Sequence, residues 1–266
     1  MNKRTMSVGG SFYPSESIEI TAMIDYFNTI LDSHPDVAAR FDALSGNSVI
    51  VPHAGWVYSG FSANIAYRIL AHTPPATVVV IGPSHKVSFE GISIAKMELF
   101  ETPLGDLTIN TALVDDLTER FSLTMFEQAH HEHSTEVQMP FLKHYMSDVK
   151  VVEMVYGNTD PAYITALIDY LLEKPSTAVV ISTDLSHYYS LEEAKHLDTI
   201  CLEAIRNKNS TMLHQGCEAC GKIGVEAMLD VAHKRNMEAI LLDYRTSADA
   251  SGDSSRVVGY ASALFS

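Results

Sequence analysis

Short apolar runs rich in Val and Ile alternate with amphipathic stretches along this chain. The runs have the length and β-branched composition of buried strands, and they fall at residues 49–51, 77–81, 91–95, 149–155, 177–181, 239–244 and 257–264. Between them, apolar residues recur at helical spacing, which predicts helices near residues 15–31, 61–71, 110–121, 161–172, 191–206 and 225–233. Strands that alternate with helices over the whole length are typical of an α/β fold.

The predicted architecture is a three-layer α/β/α sandwich formed by one domain over residues 1–266. The last two strands have the spacing of a hairpin, so the central sheet is expected to be mixed but largely parallel. No linker divides the 266 residues, and a chain of this length can bury about three quarters of its unfolded surface. The first ten residues are expected to be a loose arm. Ser15 or Ser17 should cap the first helix, and Pro140 should kink a helix or mark its start.

Histidine follows three of the predicted strands. The first run ends at Pro52, which cannot donate to a strand ladder, and His53 comes next. The second run leads to His85, and the run at 177–181 leads to Asp184 and His187. In open α/β sheets, ligands bind at the carboxyl ends of the strands. We therefore expect three of the twelve histidines to converge at one edge of the sheet.

The charge balance limits the partners of this protein. With 18 Lys and Arg against 33 Asp and Glu, the net charge is −15, whereas a phosphate-binding groove needs a basic face. Neither nucleic acid nor a membrane is therefore an expected partner. No apolar run approaches the ~20 residues of a spanning helix, and the first residues lack a signal-peptide core. The chain has three cysteines, an odd number that cannot all pair with one another: Cys201, Cys217 and Cys220. We expect them to be reduced thiols in a cytoplasm.

His53 and His85 are candidate metal ligands. Each alone would ordinarily be a polar residue that caps a strand end, but two of them on neighbouring strands favour a metal, since imidazole is the commonest protein ligand. Cys217 and Cys220 could be half of a zinc site or a redox pair, although the sequence has no second such pair. Cys220 alone, beside Gly221, would instead complete a His/His/Cys set that suits Fe(II), Cu or Zn better than Mg or Ca.

Asp184 and His187 are candidates for acid–base work, because a carboxylate three residues away can orient a neutral imidazole. The alternative is that Asp184 caps the turn that follows its strand. The cluster at residues 130–133 has three histidines, but their spacing is not that of a metal-binding helix. We expect most of this cluster to be solvated, with one member facing the site. Three aromatic residues are candidates for a substrate-pocket wall, although such residues more often serve packing: Tyr13, Trp56 and Tyr58.

Six motifs occur in order along the chain and together resemble the Memo family, whose microbial members are called AmmeMemoRadiSam system protein B. They are Pro-His-Ala-Gly-x-x-Tyr-Ser-Gly (52–60), Gly-Pro-Ser-His (82–85), Glu-His-Ser-x-Glu-Val-Gln-x-Pro-Phe-Leu (132–142), Ser-Thr-Asp-Leu-Ser-His-Tyr (182–188), Ala-Cys-Gly-x-x-Gly (219–224) and Val-Val-Gly-Tyr-Ala (257–261). The resemblance extends from Phe12 to Tyr260 and therefore covers nearly the whole chain.

The Memo family in turn resembles class III extradiol ring-cleaving dioxygenases, which hold non-haem Fe(II) in an α/β/α fold. Carried over by position, this resemblance implies three metal ligands, namely His53, His85 and Cys220. It also implies three residues that line the site for catalysis, namely Asp184, His187 and His133. The dioxygenases have a carboxylate ligand where this chain has cysteine, so the chain departs from the 2-His-1-carboxylate pattern.

The expected function is that of a cytoplasmic metal-binding protein with iron- or copper-dependent redox activity on a small substrate. Fe(II) is the first expected ion, and Cu and Zn are the alternatives. A rival interpretation is a non-enzymatic adaptor that binds a peptide in a vestigial pocket. A third is a zinc metallohydrolase in which His187 is the base. By family resemblance, AMMECR-type and radical SAM proteins are expected functional partners.

Overall fold

The computed structural model describes residues 2–266, and the apolar runs form strands as expected. The strands are β1 (Lys3–Arg4), β2 (Ser48–Val51), β3 (Thr77–Pro83), β4 (Ile92–Ile94), β5 (Leu99–Phe100), β6 (Leu107–Ile109), β7 (Lys150–Tyr156), β8 (Thr177–Ser182), β9 (His187–Tyr189), β10 (Ala239–Thr246) and β11 (Val257–Phe265). The helices are α1 (Ser17–Asp32), α2 (Pro35–Asp42), α3 (Trp56–Leu70), α4 (Thr111–Phe121), α5 (His133–Glu136), α6 (Met139–Tyr145), α7 (Pro161–Leu172), α8 (Leu191–Asn207), α9 (Lys222–Lys234) and α10 (Ala248–Ser251). Two 3₁₀ helices span Glu127–His131 and Ser210–Gln215.

The strands form one mixed sheet in the order β1-β5-β6-β7-β3-β8-β2-β11-β10, with β4 beside β7 and β9 beside β11. The stretch from β6 to β2 is parallel, whereas β11 and β10 are antiparallel to their neighbours. In the centre, Ile81 pairs with Ile181 and Val51 pairs with Ser182, so three strands end at the same level. The predicted α/β fold with a mixed, largely parallel sheet is confirmed.

The core lies on both faces of the central strands. Every residue of β2, β3 and β8 is buried, which explains why their sequences are apolar without alternation. Helices α1, α2 and α3 pack together and reach the sheet through α3, whereas α7, α8 and α9 form a second group against β8 and β11. Within residues 2–266, no helix has both the length and the apolar character needed to cross a bilayer.

The ends of the helices follow local signals in part. At the start of α8, Ser190 and Glu193 form a reciprocal capping box. Helix α1 begins at Ser17, and its N-cap is Glu16, which makes no side-chain capping bond to any described residue. The expected serine cap is therefore wrong. Pro140 lies in the first turn of α6, so it marks a helix start rather than a kink.

The first residues of the chain are fixed to the fold, so the expectation of a loose arm is wrong. Strand β1 pairs with β5, and Arg4 is 2% exposed. The Nη1 atom of Arg4 lies 2.6 Å from Oε2 of Glu136, which is fully buried at the end of α5. The same carboxylate accepts the backbone N–H groups of Ser7 and Val8 and the hydroxyl of Tyr13. Buried charges persist only when they are paired and hydrogen-bonded, so this network holds the N-terminus against α5.

Candidate metal centre

Strands β3, β8 and β2 are parallel neighbours, and each ends in a loop that carries candidate ligands or catalytic residues. His53 follows β2 after Pro52, and His85 lies two residues beyond β3. Asp184 lies two residues beyond β8, and β8 lies between β2 and β3 in the sheet. The expected convergence is confirmed for His53 and His85, and it follows from the shared level at which the three strands end, whereas that of His187 stays a prediction.

His53, His85 and Cys220 come together at this edge. One ligand atom from each lies within 4.8 Å of the other two. Nε2 of His53 lies 3.2 Å from Sγ of Cys220, and the centroids of the two imidazole rings are 5.1 Å apart, with the ring planes at 76°. The three residues that sequence reasoning named as ligands therefore form one compact donor set, although they are up to 167 positions apart in the chain.

The hydrogen bonds around His53 define which of its nitrogens is free. Nδ1 lies 2.9 Å from Oγ of Ser182. The single hydroxyl proton of Ser182 is donated to the carbonyl of Ser134 at 2.5 Å, so Oγ accepts from Nδ1–H of His53 and from Nε2 of Gln138. The proton of His53 is therefore on Nδ1, and Nε2 presents a lone pair to Cys220. Burial, together with His85 and His133, lowers the pKa of His53 well below its usual range and keeps the ring neutral.

The buried carboxylate of Glu132 fixes which ring nitrogen carries the proton in His85 and in His133. Oε1 of Glu132 lies 3.2 Å from Nδ1 of His85 and 2.6 Å from Nδ1 of His133, and the Glu132 side chain is 1% exposed. Its other oxygen accepts the backbone N–H of His85 at 2.6 Å. Burial by itself would raise the pKa of Glu132, but hydrogen bonds from His133 and His85 outweigh it and hold the pKa well below its usual range. Both imidazoles therefore have Nε2 free to face the site.

Sequence reasoning missed the role of Glu132. The residue stood in a cluster interpreted as mostly solvated, yet it is the common partner of two site histidines. Its neighbour His130 is also buried, at 2% exposure, and bonds Glu153 and Ser93 away from the site. Only His131 is exposed among the three histidines of the cluster. The available signal was the order Glu-His-Ser, which places an N-cap carboxylate directly before the short helix α5.

Cys220 is held by the loop that follows β8. Its backbone N–H donates to the carbonyl of Asp184 at 3.2 Å, and its Sγ accepts the N–H of Asp184 at 3.3 Å. Gly221 approaches so closely that an added Cβ would lie 2.6 Å from Cβ of Thr183. Burial, followed by the nearby Asp184, raises the pKa of Cys220 to about 12. Without a metal, the sulfur is therefore a thiol that can donate to Nε2 of His53.

Comparison with known proteins finds relatives that match along nearly the whole chain. The family model described as Memo-like protein matches residues 4–264. The chain belongs to the Memo family. It is 31% identical over 281 residues to a MEMO1 family protein of Desulfurococcus amylolyticus, covering 100% of this chain and 99% of the relative. It is 34% identical over 290 residues to one of Methanocaldococcus jannaschii (99% of each chain), and 33% identical over 282 residues to one of Methanobrevibacter smithii (98% and 99%).

In this Memo family member, Asp184 and His187 are close in sequence but have different contacts. Oδ1 of Asp184 accepts the backbone N–H of His53 at 2.7 Å, and the side chain is buried. His187 begins β9, where it pairs with Val258, and its ring makes no hydrogen bond to any described residue. Asp184 therefore fixes the turn that carries His53. The ring of His133 lies 5.4 Å from that of His53 and 4.6 Å from that of His85. The catalytic roles of Asp184, His187 and His133 stay predictions.

The three aromatic candidates occupy unlike positions. Tyr13 is buried and donates its hydroxyl to Glu136 at 2.9 Å. Trp56 is also buried, stacked on Phe141 with ring centroids 3.9 Å apart. Tyr58 is 43% exposed and so remains the most accessible of the three. A fourth ring, that of Phe12, packs 4.6 Å from His133 and was not singled out from the sequence. Substrate contact by Tyr13, Trp56 and Tyr58 stays a prediction.

The cysteines differ from expectation. Cys201 and Cys217 form a disulfide, and Cys220 is the one free cysteine of the chain part that the structure describes. The prediction of three reduced thiols is therefore wrong, and the cytoplasmic location loses the argument that rested on it. Because Cys217 is bonded to Cys201, it forms neither a zinc half-site nor a redox pair with Cys220. The preference for Cys220 over Cys217 as the candidate ligand agrees with this pairing.

The donor set fits a metal that prefers nitrogen and sulfur. Such ions lie about 2.0–2.1 Å from imidazole nitrogen and about 2.3 Å from thiolate sulfur, so ligand atoms on a tetrahedron are about 3.3–3.6 Å apart. The three candidate ligand atoms lie within 4.8 Å of one another, and His53 Nε2 and Cys220 Sγ are 3.2 Å apart, so a metal would require only small side-chain adjustments. Two imidazoles with one soft sulfur suit Fe(II), Cu or Zn, whereas Mg and Ca prefer oxygen ligands.

Proposed function

We propose that this protein binds one metal ion through Nε2 of His53, Nε2 of His85 and Sγ of Cys220. In our proposal the ion supports redox chemistry on a small molecule or peptide. The observation that supports it best is the fixed protonation of both imidazoles. Ser182 and Glu132 each engage an Nδ1 atom and leave the Nε2 lone pairs directed into the same space. Packing alone gives no reason for two histidines on separate loops to place ring nitrogens within 4.8 Å of each other and of one thiol.

Fe(II) is the first proposed ion, and Cu and Zn are the alternatives. When bound, iron or copper would supply one-electron redox chemistry at a ligand set that leaves room for an exogenous group. The residues of the chain provide the surroundings. His133, fixed at Nδ1 by Glu132, has Nε2 available to hold or transfer a proton beside the ligands. The burial of His53 and Asp184 limits the access of water from the sheet side.

Metal analysis of untagged protein, purified without chelators and without oxygen, tests this proposal. We expect about one metal ion per chain, and its identity decides between the iron, copper and zinc alternatives. His53→Ala and His85→Ala should each abolish binding while the circular dichroism spectrum is kept, since both residues lie on loops. Cys220→Ser should weaken binding and remove the sulfur-to-metal charge-transfer band of Cu(II)-loaded protein. His196→Ala, an exposed histidine on α8, is the matched control.

Undiminished metal content in both His53→Ala and His85→Ala would reject the proposed site. Zinc bound at these residues, without any redox response under oxygen, would favour the metallohydrolase interpretation. A wild-type protein that binds no metal would favour the adaptor interpretation. A cytoplasmic location and the AMMECR-type and radical SAM partners are also proposals, and they rest on the family resemblance alone.

A further inference from the structure

Helix α8 supports the candidate metal centre at one of its turns. Asp198 and Cys201 are three residues apart in α8, and both are buried, at 0% and 1% exposure. Asp198 accepts the backbone N–H of Ser186 at 2.9 Å and the hydroxyl of Tyr244 at 2.8 Å. The bond from Ser186 holds the loop that follows β8. One turn further along the helix, Cys201 is bonded to Cys217.

The disulfide lies close in sequence to the free thiol. Cys217 is fully packed, at 2% exposure, and it precedes Cys220 by three residues in a segment without helical or strand structure. At the far end of this segment, Cys220 bonds the backbone of Asp184 in both directions. The segment 217–220 is therefore held at both ends. At Cys217 it is held by the covalent disulfide to α8 and by a backbone hydrogen bond to the carbonyl of Leu213 at 3.1 Å. At Cys220 it is held by the β8 loop, which α8 itself fixes through Asp198.

We propose that the Cys201–Cys217 disulfide positions Cys220 for metal binding, so that its redox state sets the affinity of the site. This inference rests on the proposed metal site. With the disulfide intact, Sγ of Cys220 is already 3.2 Å from Nε2 of His53. With the disulfide broken, Cys217 loses its covalent tie to α8 and keeps only the backbone bond to Leu213, so ordering the segment becomes a larger part of the cost of binding. Loss of a group that orients a metal ligand typically weakens affinity by about 10–100-fold.

The redox step can be made with a phosphine reductant. The phosphine cleaves the bond between Sγ of Cys201 and Sγ of Cys217 and is oxidised to its oxide with an oxygen atom from water. The two sulfurs take up the two electrons and two protons and become thiols. Cys220 is not consumed in this step, so any change in metal affinity reports on its placement. The phosphine and its oxide are removed by anaerobic gel filtration before metal is added.

A double-mutant cycle tests the proposal with Zn²⁺ as the probe. Its four proteins are wild type, Cys201→Ser/Cys217→Ser, Cys220→Ser and the triple variant, each titrated in competition with a chromophoric chelator. We expect disulfide removal to weaken Zn²⁺ binding about 10–100-fold when Cys220 is present. In the Cys220→Ser background the same removal should change the Zn²⁺ affinity by less than about twofold, because the disulfide acts on the metal only through Cys220. Equal weakening in both backgrounds, or none in either, overturns the proposal.

Two further measurements guard the result. If the double variant fails to fold, wild type reduced by the phosphine takes its place, and the same loss of affinity is expected. Thiol labelling of unfolded, unreduced protein should find one reactive cysteine per chain, and three reactive cysteines would overturn the proposal. Failure of the metal site itself looks different, because Zn²⁺ binding by wild type would then be unchanged by His53→Ala.

Discussion

Oε1 of Glu132 lies 2.6 Å from Nδ1 of His133, and this bond is made by a carboxylate that is 1% exposed. Because Glu132 immediately precedes His133, one residue sets both the start of α5 and the orientation of the imidazole. The same oxygen reaches His85 across 47 positions of sequence. A carboxylate shared in this way leaves each ring with one free nitrogen on the side of the metal centre.

Replacement of Glu132 by glutamine should therefore weaken metal binding. An amide oxygen can accept only part of the N–H groups that now converge on the carboxylate. In either orientation the amide nitrogen would face a donor, which is an imidazole Nδ1–H at the Oε1 position or the backbone N–H of His85 at the Oε2 position. We expect the dissociation constant to rise about 10–100-fold. Glu127→Gln is the matched control, since Glu127 is exposed in the preceding 3₁₀ helix. Equal affinity in both variants and wild type would show that Glu132 does not orient the ligands.

Metal affinity should depend on pH through Cys220. Since the pKa of this thiol is raised to about 12, it keeps its proton up to pH 9 and loses it on binding metal. Above pH 7.5, where an ordinary imidazole with pKa about 6.5 is neutral, one proton is released for each ion bound. The dissociation constant for Zn²⁺ should therefore fall about tenfold for each pH unit between 7.5 and 9. Cys220→Ser should flatten this dependence, and an equal slope in both proteins would contradict the assignment.

The close approach at Gly221 gives a steric test. An added Cβ would lie 2.6 Å from Cβ of Thr183 and 2.8 Å from the carbonyl oxygen of Ser182, and neither atom is the end of a flexible side chain. Gly221→Ala should destabilise the fold by about 1–3 kcal/mol and move Cys220 away from His53, with loss of metal affinity. Gly9→Ala is the control, because its added Cβ would meet no atom closer than 3.5 Å. Urea unfolding measures the stability of both variants, and Zn²⁺ titration measures their metal affinity. Equal values for Gly221→Ala and Gly9→Ala would contradict the prediction.

The parts that sequence reasoning predicted are those set by local composition. Runs such as residues 177–181 have the length and β-branched composition of buried strands, and histidine or aspartate beyond their ends shares the sheet edge when the strands are parallel neighbours. The strands that lead to His53 and His85 are not direct neighbours as expected, because β8 lies between them, but their loops still meet at one edge of the sheet. The CxxC spacing was less informative, because it does not reveal that Cys217 pairs with Cys201 on a neighbouring helix.

The parts that were missed depend on partners far away in the chain. Arg4 stands in a polar N-terminal stretch, and nothing nearby indicates burial. Its acceptor Glu136 is 132 positions away. Glu132 likewise looks solvent-exposed in a charged cluster until the β3 loop is placed against it. A buried polar residue is stable only with its full set of partners, and periodicity contains no information about those partners.

The buried network around Arg4 and Glu136 should contribute to the stability of the fold. Arg4→Met would leave Glu136 buried without its cation and would leave Glu153 with His130 as its ion-pair partner, and breaking a buried pair in this way costs about 3–5 kcal/mol. Lys3→Met provides the contrast at the adjacent position. Its partner Asp106 is about one third exposed, and solvent screens the pair. The midpoint of urea unfolding should fall strongly for Arg4→Met and stay nearly unchanged for Lys3→Met. Similar midpoints for the two variants would show that the first residues are not anchored as described.

Variants of Asp184 and of His187 should differ in their affinity for Zn²⁺. Asp184 accepts the backbone N–H of His53 at 2.7 Å, so Asp184→Ala should release the loop of that ligand and weaken Zn²⁺ binding about 10–100-fold. Asp184→Asn should lose less, because its side-chain oxygen can still accept the same N–H. His187 bonds no ligand residue among those described, so His187→Ala should keep the affinity for Zn²⁺ while it removes any acid–base contribution, typically about 10²–10⁴-fold in rate. If His187→Ala instead strips the metal, His187 is a ligand, and the role given to Cys220 must be revised.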